Sequence, residues 1–160
     1  MFTSFSLFTP FSAKHVLCGS KNTVKTGTDT YWLSVESSPT GLTRFQHFLL
    51  FLEERWQISA CNFLDIHLSV TEAIMNAIDH GNKGDANKSV YVCASQDENY
   101  FTFTIEDEGD GFNYRRIKNP TDPENRLLPG GRGIFIMNYF SDDLRFADEG
   151  RSVKLLFAKK

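Results

Sequence analysis

Three short segments rich in glycine or acidic side chains interrupt the apolar pattern of this chain, and they do so in a fixed order. The first covers residues 72–76 (EAIMN) and 80–82 (HGN), the second residues 107–112 (DEGDGF), and the third residues 130–134 (GGRGI). The first lies on a predicted helix, the second ends a predicted strand, and the third opens a predicted helix. Each alone is a weak signal, but the ordered set predicts a nucleotide site that carries its own metal ligand and base.

The apolar pattern around these segments predicts a domain in which strands and helices alternate. Strands are predicted at residues 31–35, 90–94, 100–106, 144–146 and 153–158, and helices at residues 42–56, 61–80 and 134–140. Apolar residues three or four apart define one side of the first two helices: Leu42, Phe45, Leu49 and Leu52, then Ile66, Val70, Ala73, Ile74 and Ala77. This order predicts an α/β (α+β) two-layer sandwich, with a mixed, mostly antiparallel sheet covered by helices on one face.

Bulk composition restricts the class of protein only loosely. The 160 residues fit one domain, and the net charge of −3 gives no reason to expect direct nucleic-acid binding. Cys18, Cys61 and Cys93 are odd in number and scattered, which favours reduced thiols in a cytoplasmic protein. No apolar run approaches the roughly 20 residues needed to span a bilayer, so we expect no membrane segment.

The chain divides at about residue 29. Residues 1–17 are apolar and rich in Ser and Thr, but they lack a basic start and are interrupted by Pro10, so a secretory signal is not expected. Residues 18–28 are polar and rich in turn formers. We therefore predict an extension over residues 1–28, loosely ordered or packed as an arm, and a nucleotide-binding domain over residues 29–160.

Glu72 and Asn76 lie four residues apart, so their side chains project from the same face of the predicted helix. An Asn oxygen can bind Mg²⁺ that is held between phosphates, and a neighbouring Glu can take a proton from an attacking hydroxyl or water. The alternative is a polar stripe that only faces solvent. His80, at the end of the same helix, is interpreted as a C-terminal cation rather than a catalytic group.

Asp107 follows an alternating apolar strand, where its carboxylate can accept a hydrogen bond from an exocyclic amine and so favour adenine over guanine. Gly109 and Gly111 allow the backbone to pass close to a flat base, although Asp and Gly are also ordinary β-turn residues.

The glycines at 130, 131 and 133 place bare amides at a helix N-terminus, which suits phosphate, or else form a flexible hinge. The long polar connection over residues 113–129 is interpreted as a lid over the nucleotide.

The three segments resemble the N, G1 and G2 boxes of the GHKL superfamily of gyrase, chaperone, histidine kinase and mismatch-repair ATPases, over about residues 29–160. Residues 119–123 (NPTDP), the run GGRGIFIM and residues 141–143 (SDD) are most similar to the anti-sigma factor serine/threonine kinases, the RsbW-like group. The resemblance implies the Bergerat ATP-binding fold, with ATP and Mg²⁺ as ligands.

The resemblance also implies a role for each matching residue. These roles are general base for Glu72, Mg²⁺ ligand for Asn76, adenine recognition for Asp107 with Gly109 and Gly111, phosphate contact for Gly131, Arg132 and Gly133, and an adenine-side hydroxyl for Ser152, where the family usually has Thr. Pro129 departs from the members that carry an Arg just before the glycine box, and Arg132 and Arg126 are candidate substitutes for it.

By this resemblance the chain is expected to be a kinase that phosphorylates a STAS-type anti-sigma antagonist and sequesters a sigma factor, as a homodimer. Two alternatives stay open: a non-catalytic ATP-binding switch that binds a regulatory partner, and an ATPase that transfers phosphate to water. A globular domain without a nucleotide site would require three ordered coincidences.

Overall fold

The computed structural model describes residues 29–114 and 131–160. The predicted extension 1–28, most of the predicted lid, and Arg126, Pro129 and Gly130 lie outside these residues. Within them, five strands form one sheet in the order β1-β2-β3-β5-β4. The strands are β1 (Asp29–Glu36), β2 (Ser89–Gln96), β3 (Tyr100–Asp107), β4 (Asp143–Ala147) and β5 (Ser152–Ala158).

Three α-helices lie among the described residues: α1 (Pro39–Trp56), α2 (Ala60–Asn76) and α3 (Arg132–Phe140). Their residues pack on one face of the sheet, as the two-layer prediction requires. Every strand pairing in residues 29–114 and 131–160 is antiparallel. The sheet described is therefore uniformly antiparallel, where the sequence prediction allowed a mixed one.

Alternation along the strands places one apolar set under the helices. Val90, Val92 and Ala94 of β2 and Phe103 and Ile105 of β3 are buried. The predicted stripes of α1 and α2 cover them, with Leu42 the only predicted stripe member that is half-buried. On the opposite face of the sheet Trp32 and Tyr91 keep 48% and 43% of their surface exposed, so the described part of that face is open.

Serine caps fix where the first two helices begin. The Ser38 hydroxyl accepts a hydrogen bond from the Gly41 amide at 3.1 Å, and Pro39 occupies the first helical position. The Ser59 hydroxyl accepts one from the Asn62 amide at 3.3 Å. Both helices therefore begin slightly earlier than the apolar periodicity predicts.

The second predicted helix, residues 61–80, changes geometry before its end. Its α-helical part stops at Asn76, and Ala77–Gly81 form a π-helical turn. The Asn82 amide closes this turn by donating to the Ala77 carbonyl at 2.8 Å. Such turns are rare, but those that occur are often located at functional sites. This one directly follows a predicted metal ligand.

Candidate functional site

A cavity of about 660 Å³ lies between the helices and the sheet, where α2 and its π-turn, the end of β3, the start of α3 and the start of β5 meet. This size is within the range of about 300–1,000 Å³ that small-molecule sites occupy. Six of the predicted site residues line it: Glu72, Asn76, Asp107, Gly131, Arg132 and Gly133. His80 lines it as well, and Gly109, Gly111 and Ser152 do not.

The start of α3 packs directly against the Glu72 and Asn76 side chains. A Cβ atom at Gly133 would lie 2.8 Å from Oε2 of Glu72 and 3.0 Å from Nδ2 of Asn76, so a larger residue would displace one of them. Because residue 133 is glycine, the N-terminus of α3 can lie in contact with the Glu72 carboxylate and the Asn76 carboxamide in the cavity wall.

Among the described residues, no side chain caps the N-terminus of α3. Gly131 occupies the N-cap position in the left-handed region, with φ of 81°, which glycine adopts without steric cost. The first amides of a helix have no intrahelical acceptor, and the helix dipole adds partial positive charge at this end. The cavity therefore has an anion-binding wall beside Glu72 and Asn76.

Asp107 is held at the opposite side of the cavity by its own turn. Its amide donates to the Arg151 carbonyl at 3.0 Å, and its Oδ1 accepts from the Gly109 amide at 2.8 Å. No donor from the described residues reaches Oδ2. Burial raises the pKa of Asp107 above its ordinary value, while the Gly109 N–H and the charges of Arg151 and Lys88 act in the opposite direction. A carboxyl with a shifted pKa and a free oxygen in a cavity is typical of a binding site.

Gly81 has a role that its sequence position did not reveal. It directly follows the predicted helix 61–80, and a Cβ atom there would lie 2.5 Å from Oδ2 of Asp107. A Cβ atom at Gly109 would in turn collide with the Gly81 carbonyl. The π-turn and the Asp107 turn are thus in backbone contact, and side chains larger than hydrogen would separate them.

Aromatic and aliphatic side chains, among them Phe112 and Phe146, form much of the remaining cavity wall. Phe112 and Phe146 meet edge to face with ring centroids 5.8 Å apart, and Tyr114 stacks on Phe146 at 4.7 Å. Ile105 and Met137 also line the cavity. Apolar side chains close to the Asp107 carboxylate suit a flat, partly polar ligand such as a nucleobase. Nothing in the sequence separates these residues from ordinary core residues.

The predicted hydroxyl of Ser152 is not part of the cavity wall. Ser152 pairs with Glu106, and Val153 pairs with the buried Ile105. Paired residues lie on the same face of a sheet, so Ser152 shares the face of the exposed Glu106, away from the helices. Arg151 and Val153, its two neighbours, line the cavity instead.

The donor set suits Mg²⁺ bound mainly by phosphates. The described residues contain no group of three or more His, Cys, Asp or Glu side chains that could hold a metal ion. Mg²⁺ commonly keeps several waters and takes only one or two protein ligands beside substrate phosphates. Asn76, next to the anion-binding wall, fits that single-ligand role.

In residues 29–114 and 131–160, no helix is both long enough and apolar enough to cross a membrane.

Known proteins are similar in sequence to this chain. Residues 35–157 match the family model described as the histidine kinase-like ATPase domain. The anti-sigma F factor of Halalkalibacterium halodurans is 37% identical over 100 residues, which cover 60% of this chain and 67% of that protein. The anti-sigma F factor of Clostridium perfringens (strain SM101 / Type A) is 35% identical over 101 residues, covering 60% of this chain and 71% of that protein.

A more distant relative carries an enzyme name. The serine-protein kinase RsbW of Oceanobacillus iheyensis is 26% identical over 91 residues, which cover 53% of this chain and 58% of that protein. The family match spans all three polar segments and the strands and helices that bring them together. The chain therefore belongs to the histidine kinase-like ATPase domain family.

Proposed function

We propose that this protein is an ATP-dependent serine/threonine protein kinase that acts as an anti-sigma regulatory factor. In this role it phosphorylates a STAS-type anti-sigma antagonist and sequesters a sigma factor, in the cytoplasm and as a homodimer. The observation that carries the proposal is the meeting of Glu72 and Asn76 with the uncapped N-terminus of α3, in the cavity that also contains Asp107.

The adenine half of ATP fits the Asp107 side of the cavity. Its 6-amino group would donate to Oδ2 of Asp107, the oxygen that the Gly109 amide leaves free. A hydrogen bond to a charged group contributes about 1.5–3 kcal/mol. Gly109 and Gly111 lie outside the wall, so they act here through the shape of the turn, and Ser152 has at most an indirect role.

The triphosphate half fits the α3 side. The amides at Gly131, Arg132 and Gly133 would bind phosphate oxygens, and the Arg132 side chain, which also lines the cavity, would contact the terminal phosphate. Asn76 would hold Mg²⁺, which when bound neutralises charge on the phosphates. Glu72 would orient or deprotonate the acceptor hydroxyl, so most of the catalysis is positioning and electrostatics.

The relatives' names support the choice of partners. Two are anti-sigma F factors and one is a serine-protein kinase, so a sigma factor and a protein acceptor are the partners that we propose here. A non-catalytic switch is the second candidate. Pro129 favours it, because it stands where some kinases of this group have an Arg.

The test is incubation of the full chain with γ-labelled ATP, Mg²⁺ and a STAS-domain protein that carries an acceptor serine. Label on the acceptor with wild type, and its loss with Glu72→Gln at unchanged ATP affinity, would support the kinase. Free phosphate without labelled acceptor would instead identify an ATPase, and ATP binding with neither product would identify a switch.

A further inference from the structure

Asn82 is a buried carboxamide whose polar atoms are all satisfied. It is 1% exposed, and its Nδ2 donates to the Ser37 hydroxyl at 2.7 Å and to the Ser89 carbonyl at 2.9 Å. Its Oδ1 accepts from the Glu108 amide at 2.8 Å. Full satisfaction of a buried amide requires several elements to be held around it at once.

These bonds connect the π-turn to three strand ends. Ser37 follows β1, Ser89 begins β2, and Glu108 follows Asp107 at the end of β3. The Asn82 backbone amide also closes the π-turn that presents Gly81 to the Asp107 carboxylate. Asn82 thus fixes the main chain on both sides of Asp107's contact with Gly81, although it does not line the cavity itself.

We propose that Asn82 is a positioning residue for adenine recognition. It acts through the Glu108 amide and the π-turn, and it places Oδ2 of Asp107 where a 6-amino group can donate to it. This rests on the proposed function, in which Asp107 reads adenine. Substitution of Asn82 should therefore lower the preference for adenine, and not only the stability of the fold.

Asn62 provides a matched control at the other end of α2. It is also 1% exposed, and it too makes three side-chain hydrogen bonds. Its Nδ2 donates to the Ala158 carbonyl at 2.7 Å, and its Oδ1 accepts from the Ser59 hydroxyl at 3.1 Å and the Lys160 amide at 2.9 Å. None of its bonding partners adjoins a residue that lines the cavity, whereas Glu108, a partner of Asn82, directly follows Asp107.

The experiment compares the affinity of the full chain for ATP and for purine riboside triphosphate, which lacks the 6-amino group, by calorimetry with Mg²⁺. Wild type should prefer ATP by about tenfold or more, the value of one hydrogen bond to a carboxylate. Asn82→Ala should reduce that preference by about tenfold. Asn62→Ala should keep the wild-type preference, while thermal unfolding should show that it too is destabilised.

Ser37→Ala is a milder variant that removes only one acceptor of Asn82. It should lower the preference by about threefold, and it decides the matter if Asn82→Ala does not fold. A wild-type preference that survives in both Asn82→Ala and Ser37→Ala would overturn the positioning role. Equal binding of the two nucleotides by wild type would instead refute the assignment of Asp107, and the role of Asn82 with it.

Discussion

The two ends of helix α2 differ in whether their polar side chains are paired within the protein. At the first end, residues 59–65, every polar group named here has a partner: Ser59 caps the helix, Asn62 makes three bonds, and Asp65 pairs with Lys160 at 2.7 Å. At the cavity end, the α-helix gives way to a π-turn after Asn76, and Glu72 and Asn76 face the start of α3. The first end is built for stability, and the cavity end leaves polar groups available to a ligand.

Of the changes that test this difference between the two ends, Glu72→Gln should have the largest effect. The substitution keeps the size of a side chain that packs on Gly133 but removes the proposed base. Phosphotransfer to a protein acceptor should fall by about 10²–10⁴-fold, with ATP affinity and thermal stability unchanged. Equal losses of ATP binding and of phosphotransfer would show that Glu72 is part of the binding surface and not the base.

Asp107→Asn should weaken ATP binding by about 1.5–3 kcal/mol, because the amide replaces a charged acceptor. Its stability should stay the same or increase, since burial disfavours the wild-type carboxylate. Calorimetry with ATP and thermal unfolding measure the two quantities separately. Unchanged ATP affinity would mean that another group reads the base.

Asn62→Ala should give the reverse result at the first end. The substitution removes three hydrogen bonds, among them those to the Ala158 carbonyl and the Lys160 amide, and each such bond contributes about 0.5–1.5 kcal/mol. Denaturant unfolding should show this loss, while ATP affinity stays at the wild-type value. If ATP affinity fell as far as stability, the two ends would not be independent.

The pH dependence of ATP binding should give the smallest effect. Because the pKa of Asp107 is raised in the free protein, its carboxylate takes up a proton at a higher pH than an ordinary Asp. Only the ionised form offers a full acceptor on both oxygens, so ATP affinity should fall on acidification through that raised pKa, by less than about tenfold per pH unit. Calorimetry across pH measures this, and Asp107→Asn corrects for protonation of ATP itself. A parallel pH profile in that variant would contradict the role of Asp107.

Local sequence patterns predicted the order of the elements and most of the site. Four of the predicted residues line the same cavity: Glu72, Asn76, Asp107 and Gly133. Each was predictable because spacing on a helix, the end of a strand and the start of a helix are local signals in the sequence. The π-turn was not predicted, because a single wider turn leaves the apolar periodicity of α2 intact.

Two further differences arise from tertiary structure. Ser152 was placed at the adenine, but a shift of one residue along a strand moves a side chain to the opposite face of the sheet. Phe146 and Met137 were not predicted to line the cavity, because an apolar residue has the same sequence pattern in a cavity wall and in a core. Sequence patterns therefore predicted several polar residues that line the cavity, such as Glu72 and Asp107, but not Arg151 or the apolar wall.

The two tryptophans lie in different environments, so their fluorescence emission can report on two different events. Trp56 is 7% exposed, stacks on Phe101 and donates to Asp29 at 3.1 Å, so its emission follows folding. Trp32 lies on the open face of the sheet, 48% exposed, so its emission follows whatever covers that face. A blue shift from Trp32 at constant Trp56 signal would therefore detect a protein seated on the sheet, and nucleotide entering between helices and sheet would leave Trp32 unchanged.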